Sequence, residues 1–371
     1  MTLRIESLEL RNFRNYEHAR LDNLGDLTVL VGENAMGKTN IVEGVQLLTA
    51  LTSFRHATIE QLIRHDCESA RLSASISDGN RQLEMDLTLE GHGKKYRLNG
   101  KAKRPADLKG LVPSVAFTPD DLDLVKGSMT RRRTALDGLG SQVNKNYYVV
   151  RRDYEKVVRH KNRLLKEEAS PALLDSINEM LITVGSQLTC YRVALFNRLC
   201  PHVVARYEGI SRAREALGMD YLPSWGDIPW SEPMISRETA REQLARALHE
   251  RAGEESARKR AVVGPHADHI TFTLDGQDAS LYGSQGQQRS VVLSYKLAEA
   301  SVIEEILEQK PVLLLDDVMS ELDGARREAL VAHIGEGSQT FLTTANLAYF
   351  DQEMLSRSDV RYLPLADAGR V

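Results

Sequence analysis

"LTVLVGENAMGKT", residues 27–39, is an apolar run that ends in a glycine-framed loop and a Lys-Thr pair. Leu27 to Gly32 reads as a buried strand, because its consecutive apolar and β-branched residues offer no polar face. Gly32 to Thr39 then fits G-x-x-x-x-G-K-[ST], and a helix is expected from about Lys38. In such a strand–loop–helix unit the loop N–H groups and the helix N-terminus cradle phosphate oxygens, while Gly32 and Gly37 let the main chain approach. The nucleotide-binding candidates are therefore Gly32, Glu33, Asn34, Ala35, Met36, Gly37, Lys38, Thr39 and Asn40. Lys38 is placed to neutralise β and γ oxygens, and Thr39 to hold Mg²⁺. The motif points to nucleotide binding and leaves its purpose open.

On either side of this unit the period of the apolar residues changes. Leu3, Ile5, Leu8 and Leu10 read as a first strand. "RLSASISDGNRQLEMDLTLE" (71–90) alternates on both sides of a turn at Asp78 to Asn80, and "KKYRLNGKAK" (94–103) turns again at Asn99 and Gly100, so an antiparallel meander is expected. From Lys126 to about Arg260 the period is helical, with one apolar series from Leu136 to Val157 and a second from Leu173 to Leu199. "LGMDYLPSWGDIPWSEP" (217–233), with three prolines and both tryptophans, reads as an irregular connection. Strand character returns at "HITFTLDG" (269–276), "PVLLLDDV" (311–318) and "QTFLTTA" (339–345), and strands alternating with helices imply a parallel sheet. The expected architecture is an α/β head of residues 1–125 and 261–371 with an antiparallel β subdomain, split by a compact helical insertion at 126–260.

Composition narrows the functional class. The chain of 371 residues carries a formal charge of −4, which taken alone argues against a nucleic-acid partner. Cys67, Cys190 and Cys200 are too few and too far apart for a zinc site, and so sparse a count suits a reducing compartment. No apolar run approaches 18 residues, and "MTLRIESLEL" alternates where a signal peptide needs a continuous apolar core, so a cytoplasmic protein without a membrane partner is expected.

Two further stretches carry chemistry. In "PVLLLDDVMSELD" (311–323) an apolar strand ends in two carboxylates, placing them at the C-terminal sheet edge beside the phosphate loop. Asp316 suits the metal shell. Asp317 is the candidate general base, and with an ordinary carboxylate pKa of about 3.9 it predicts slow hydrolysis. Helix capping by these acids looks poor, because "VMSELD" stands before the next expected helix. In "YGSQGQQRS" (282–290), Ser284 and Gln287 form an S-x-x-Q capping box. Capping does not explain Gly286, since glycine in a first turn costs about 1 kcal/mol relative to alanine; close approach of a ligand would. A kinase or GTPase reading would need an acceptor pocket or an N-K-x-D strand end, and the sequence offers neither.

The phosphate loop, the S-x-G-Q helix start, the D-D strand end and the following "SELD" together resemble the ATP-binding-cassette superfamily. That resemblance implies an ABC-type P-loop ATPase head in which Ser284, Gly286 and Gln287 meet the γ-phosphate of ATP held by a second subunit. Ser320, Glu321, Leu322 and Asp323 would form the loop that crosses the dimer interface. With "LELRNFRNY", "VAFTPDDLDLVKGSMTRRR" and "GPHADHITF" added, the match tightens to the RecF family of bacterial recombination and repair proteins and covers essentially the whole chain. The family implies ATP and Mg²⁺ as cofactors, DNA and recombination mediator proteins as partners, a homodimer when ATP is bound, and help in loading a strand-exchange protein onto gapped DNA. Two departures stand out. The family pattern G-P-H-R-D has Ala267 here, and a satisfied structural role for His266 stays open beside a functional one. Where many cassette ATPases carry a switch histidine, "FLTTAN" offers Thr343 and Thr344, with Thr344 as the candidate γ-phosphate sensor.

A basic patch hides inside the acidic average. Lys126 to Lys166 holds twelve Lys and Arg against three Asp and Glu, a local charge of +9 that leaves −13 for the remainder. Arg152, Lys156, Arg159, Arg163 and Lys166 recur at steps of four and three, opposite the apolar stripe of the same helix. A solvated face normally interleaves acids at i,i+4, and this stripe looks short of them. With Arg131, Arg132, Arg133 and Arg151, these residues are the candidate contacts to a DNA backbone, double-stranded or at a junction. The rival reading is an ABC-type ATPase subunit energising a membrane transporter.

Overall fold

The computed structural model describes residues 2–91, 93–226, 235–334, 337–350 and 352–363. Short helical turns aside, the elements in chain order are β1 (Arg4–Phe13), β2 (Tyr16–Leu21), β3 (Leu27–Val31), α1 (Lys38–Thr49), β4 (Ser69–Ser77), β5 (Gln82–Glu90), β6 (Gly93–Leu98), β7 (Lys101–Lys103) and β8 (Ser114–Phe117). They continue with α2 (Met129–Val143), α3 (Lys145–Lys166), α4 (Pro171–Ser211), β9 (Leu217–Leu222), α5 (Arg237–Glu250), α6 (Ala252–Arg258), β10 (His269–Leu274) and β11 (Gln277–Asp278). The last are α7 (Gln285–Leu307), β12 (Val312–Asp316), α8 (Gly324–Ile334), β13 (Thr340–Thr344) and β14 (Asp359–Tyr362). The chain divides into two units, residues 1–121 with 299–371, and residues 122–298.

In the first unit, a parallel sheet of order β14-β3-β13-β12-β8 and an antiparallel sheet of order β2-β1-β4-β5-β6-β7 share one core. Ala70, Leu72, Ala74 and Ile76 of β4 and Met85, Leu87 and Leu89 of β5 point inward at every second position. They meet Ile41, Val42, Val45 and Leu48 of α1. α1 contacts strands of both sheets, which explains why it is buried nearly all round rather than along one stripe. The phase change in β1, where Ile5 and then Leu8 face inward, is a register shift against β4 between Ile5 and Ser7. β2, β8 and β14 are strands beyond those expected from the sequence.

The second unit corrects two expectations. Leu217–Leu222 is not irregular: it is β9, paired antiparallel with β10 from His269↔Leu222 to Leu274↔Leu217. The strand at 269–274 therefore belongs to a three-stranded antiparallel sheet, β11-β10-β9, and not to the parallel sheet. This pairing carries residues 261–298 into the second unit rather than the head. The prolines and Trp230 of the expected connection past residue 226 lie outside the described residues.

α3 and α5 pack along α4, which runs unbroken for 41 residues through Pro201. A buried polar network holds these helices to the residues before β10. Arg192 of α4 donates twice to Asp137 of α2, at 2.8 Å each, and Tyr147 of α3 donates to the same carboxylate at 2.7 Å. Arg192 also reaches the Pro265 carbonyl and lies 3.6 Å from Asp268, whose carboxylate accepts Tyr221 Oη and the Ser224 N–H. With every carboxylate oxygen bonded, the network specifies one arrangement of α2, α3 and α4. Removing Asp137 takes away both of the guanidinium's bonds to that carboxylate and leaves the buried charge only Asp268, at 3.6 Å, to balance it. Asp137→Ala should accordingly lower unfolding stability by about 3–5 kcal/mol, read as a fall in the urea midpoint. Arg152→Ala, on the exposed face of α3, should stay within about 0.5 kcal/mol.

Candidate nucleotide site

Residues 32–37 form the loop between β3 and α1. The Gly32 N–H donates to the Thr344 carbonyl at 3.3 Å, and a Cβ on Gly32 would stand 3.1 Å from that of Leu363. Gly37 occupies the N-cap of α1 at φ 94°, where a Cβ would come within 2.6 Å of Tyr16 Oη, so both conformation and space require glycine. Lys38 arches back over the loop, its ammonium donating to the Gly32 and Glu33 carbonyls at 2.6 and 2.9 Å. Opposite stands Asp316 at the end of β12, whose Oδ1 accepts Thr39 Oγ1 at 2.8 Å and Thr343 Oγ1 at 2.9 Å. Burial pushes its carboxyl up, and the two hydroxyls oppose that shift.

These groups border a cleft of about 290 Å³ lined by Asn34, Ala35, Gly37, Lys38, Thr39, Asn40, Arg55, Asp317 and Thr343. Glu33 and Met36 lie exposed on the loop. Asp317 lines the cleft, and its backbone sits in the left-handed region, φ 52°, with its N–H held by Thr343 Oγ1 at 2.9 Å. A one-turn helix, Val318–Glu321, begins directly after it, so no stretch of loop intervenes as the sequence suggested; even so, the Asp317 side chain makes no capping bond. The threonine at the cleft is Thr343. Thr344, expected as the sensor, is buried and turned to Asn346, donating to its carbonyl at 2.9 Å and accepting its N–H.

Several neighbours escaped the motif. Asn40 accepts Arg55 at 2.9 Å and donates to Asn15 at 2.7 Å, which brings the β1–β2 turn and an arginine to the loop. Arg14 in that turn makes two bonds, 2.9 and 2.8 Å, to Glu43, a fully buried carboxylate of α1 that also accepts Ser53. Tyr16, its phenol pushed up to about 12 by burial, stays a donor toward the Met36 carbonyl. "RNFRNY" and "SFR" contain these residues, yet only their place in the fold shows what they touch.

Thr39 and Asp316 suit a hard cation. They are oxygen ligands 2.8 Å apart, and the described residues hold no cluster of three or more His, Cys, Asp or Glu. An ion here would complete its shell with water and phosphate oxygens, the habit of Mg²⁺.

In the second unit α7 opens with a reciprocal capping box: the Ser284 N–H donates to Gln287 Oε1 at 2.7 Å and the Gln287 N–H to Ser284 Oγ at 3.3 Å. Ser284 is exposed, as are Leu281 and Tyr282 before it. In the first unit, Ser320 Oγ donates to the Asp317 carbonyl at 2.8 Å, Glu321 is half-buried, Leu322 is buried, and Asp323 caps α8 by accepting the Arg326 N–H.

Residues 4–361 match the family described as the RecF/RecN/SMC N terminal domain. The DNA replication and repair protein RecF of Synechococcus sp. (strain JA-3-3Ab) is 37% identical over 362 residues, 95% of this chain and 94% of that one. The chain belongs to the RecF family of DNA replication and repair proteins. RecF of Halalkalibacterium halodurans is 35% identical over 96% of this chain and 97% of its own. A solved structure of the recombination mediator protein RecF with ATP, in the RecFOR pathway, superposes with TM-score 0.87 at 28% identity, covering 94% of each chain. The Smc head domain of Pyrococcus furiosus bound to the C-terminal domain of ScpA, at TM-score 0.53 and 16% identity, shares the fold. The fold is thus the ABC-type head expected, and membership sets aside the transporter reading. Among the described residues no helix is long and apolar enough to cross a membrane.

Placed on this RecF-family fold, the basic candidates separate. Arg152, Lys156, Arg159, Arg163 and Lys166 form an exposed row along α3, opposite the buried Tyr147, Tyr154, Val157 and Leu165. Arg159, Arg163 and Lys166 have no ion-pair partner among the described residues. The row is less free of acids than the sequence suggested, since Asp153 pairs with Lys156 at 2.9 Å and Glu155 with Arg151 at 2.8 Å. Arg131 is exposed, 3.7 Å from Asp123. Arg133 is half-buried, donating to the Asp268 carbonyl. Arg132 must be withdrawn from the surface: it is 2% exposed, its guanidinium donates to the carbonyls of Leu124, Val125 and Ile270, and it stacks over Phe272. Lys161 is equally buried and paired with Glu255.

His266 of the G-P-H-A-D segment has the satisfied role. Its Nδ1 meets Tyr154 Oη at 2.6 Å, its Nε2 faces the Ala261 carbonyl at 3.2 Å, and burial holds its pKa down at about 4. The unfolded chain binds a proton near pH 6.5 and the folded chain only near 4, so stability is full above about 6.5 and falls as pH drops toward 4. His266→Asn removes that component. Between pH 7 and 5 the wild-type chain should lose roughly 2 kcal/mol more than the variant, read from urea midpoints at the two pH values.

Proposed function

We propose that this chain is an ATP-controlled DNA clamp of recombinational repair, with hydrolysis serving as a slow release switch. The observation that carries the reading is the assembled cleft, where Lys38, the Thr39–Asp316 pair and Asp317 converge on one edge of the parallel sheet in a chain of RecF family. Residues 32–40 hold the ATP phosphates, with Lys38 exchanging its loop carbonyls for β and γ oxygens. Mg²⁺ is held by Thr39 and Asp316, and when bound it supplies charge neutralisation at the phosphates. Asp317 accepts the proton of the attacking water. Its left-handed backbone supports that role, because strain of this kind in a non-glycine residue collects at functional sites. Thr343, bonded to both aspartates, keeps them in register.

A single chain carries one phosphate loop and one signature. Ser284, Gly286 and Gln287 therefore complete the site of a second copy, and Ser320 to Asp323 link the two sites across that interface. The insertion, drawn from the sequence as residues 126–260, is the DNA-facing lobe. Arg131, Arg152, Lys156, Arg159, Arg163 and Lys166 bind phosphates, with Arg133 and Arg151 at the margin. Such contacts position DNA without reading bases. ATP acts by favouring the closed, DNA-gripping dimer over the open state. The solved relative is named a recombination mediator protein of the RecFOR pathway, which supports mediator partners for this chain; help in loading a strand-exchange protein at gaps rests on the family resemblance.

Two experiments test this. Ser284→Arg should leave ATP affinity within about twofold and abolish ATP-dependent dimers in sedimentation with a slowly hydrolysed analogue; intact dimers would refute the shared site. Reversal of Arg152, Arg159 and Arg163 to Glu should weaken DNA binding and make the log–log salt slope shallower by about 2–3 units, with nucleotide affinity unchanged. An unaltered slope would make the row a solvated helix face.

A further inference from the structure

Glu215 belongs to no motif, yet it stands between the end of α4 and the first turn of α7. Gln287 Nε2 donates to one of its carboxylate oxygens, and Tyr207 Oη of α4 donates to the other. The Gln287 side-chain oxygen in turn accepts the Ser284 N–H at 2.7 Å. A continuous row of hydrogen bonds therefore runs from the last turns of α4 to the backbone of the signature serine.

The chemistry of each group gives this row a direction. A carboxamide has an accepting and a donating end of nearly the same shape, so a capping glutamine on its own can turn over. An ionised carboxylate only accepts. Glu215 can take the NH₂ end alone, which leaves the oxygen for Ser284. Glu215 is itself fixed from both sides. Arg212 and Ala213, at φ 56° and 52°, fold the chain back after α4, and the Ala213 N–H closes on the Glu208 carbonyl at 3.0 Å. Ala216 and Asp275 then bond reciprocally, each at 2.9 Å, immediately before β9 begins. On the far side Gln288 Nε2 pins the Ala279 carbonyl at 2.9 Å, which anchors the turn leading into Ser284.

We propose that Glu215 is a positioning residue for the signature: by orienting Gln287 it sets Ser284 and the first amides of α7 in the geometry that receives the partner's γ-phosphate, and it ties that geometry to α4. This rests on the shared-site reading above. Tyr207, sharing the carboxylate, is the point at which a displacement of α4 would reach the signature.

The test uses the full chain as wild type, Glu215→Ala and Glu215→Gln; the glutamine accepts Gln287 Nε2 through its one oxygen and turns its NH₂ to Tyr207 Oη, which then accepts instead of donating, and it removes the charge. Amide hydrogen exchange without nucleotide should be about tenfold faster at Ser284 in Glu215→Ala and near wild type in Glu215→Gln. Sedimentation with a slowly hydrolysed ATP analogue should show a dimer dissociation constant raised about tenfold in Glu215→Ala and restored in Glu215→Gln, with the monomer's nucleotide affinity within about twofold throughout. Unchanged exchange at Ser284 overturns the proposal. So does a Glu215→Ala chain that dimerises like a dimerising wild type, an outcome that leaves the shared site standing. A wild type that never dimerises with nucleotide removes the shared site itself, and Glu215 is then judged on exchange alone.

Discussion

Three elements meet at one carboxylate oxygen. Oδ1 of Asp316 accepts hydroxyls from Thr39, at the start of α1, and Thr343, in the neighbouring strand β13, so that β12, β13 and the phosphate loop are held at one point. The carboxyl is largely out of water, which raises the cost of its charge; the hydroxyls offset part of that cost, and a cation would offset more. This explains why the site needs so few acids. The remaining features follow from the same point: Asp317 is next in the chain, its N–H is held by Thr343, and Lys38 lies one residue before Thr39.

What was legible in the sequence was what local chemistry dictates. The apolar run 27–31 admits only a buried strand, the alternation in β4 and β5 admits only a half-buried meander, and a glycine-framed loop between strand and helix has few uses. Legibility failed where a residue's meaning came from a distant partner. Leu217–Leu222 carries prolines and tryptophans after it and became a strand only because β10 lies alongside. Arg132 shares its charge and its sequence neighbourhood with Arg131, yet three carbonyls from residues up to 138 positions away draw it inside. Lys161 disappears in the same way beside Glu255. A charge count over 126–166 cannot separate such residues from the exposed row on α3.

Glutamines at the start of α7 show the same limit from the functional side. S-x-x-Q could be read as a capping box or as a signature, and the structure forms the box in full. The two readings are compatible, since a serine held by its own backbone N–H keeps its hydroxyl at an exposed helix start. Second contacts such as Glu215 and Tyr207 had no local signal, because nothing in "ARYEGISRAREALG" advertises that its chain reverses there.

The order of strands in the parallel sheet also bears on how the molecule comes into being. β3, encoded near the beginning, finds its two neighbours only in β13 and β14, encoded at the end. During synthesis at roughly 5–20 residues per second, its five buried residues must wait on the order of tens of seconds with both edges unpaired. Residues 122–298 need no such delay, because the partners of β9, β10 and α4 emerge together. The sheet that borders the candidate nucleotide cleft should therefore close only after residues 122–298 have had the chance to fold.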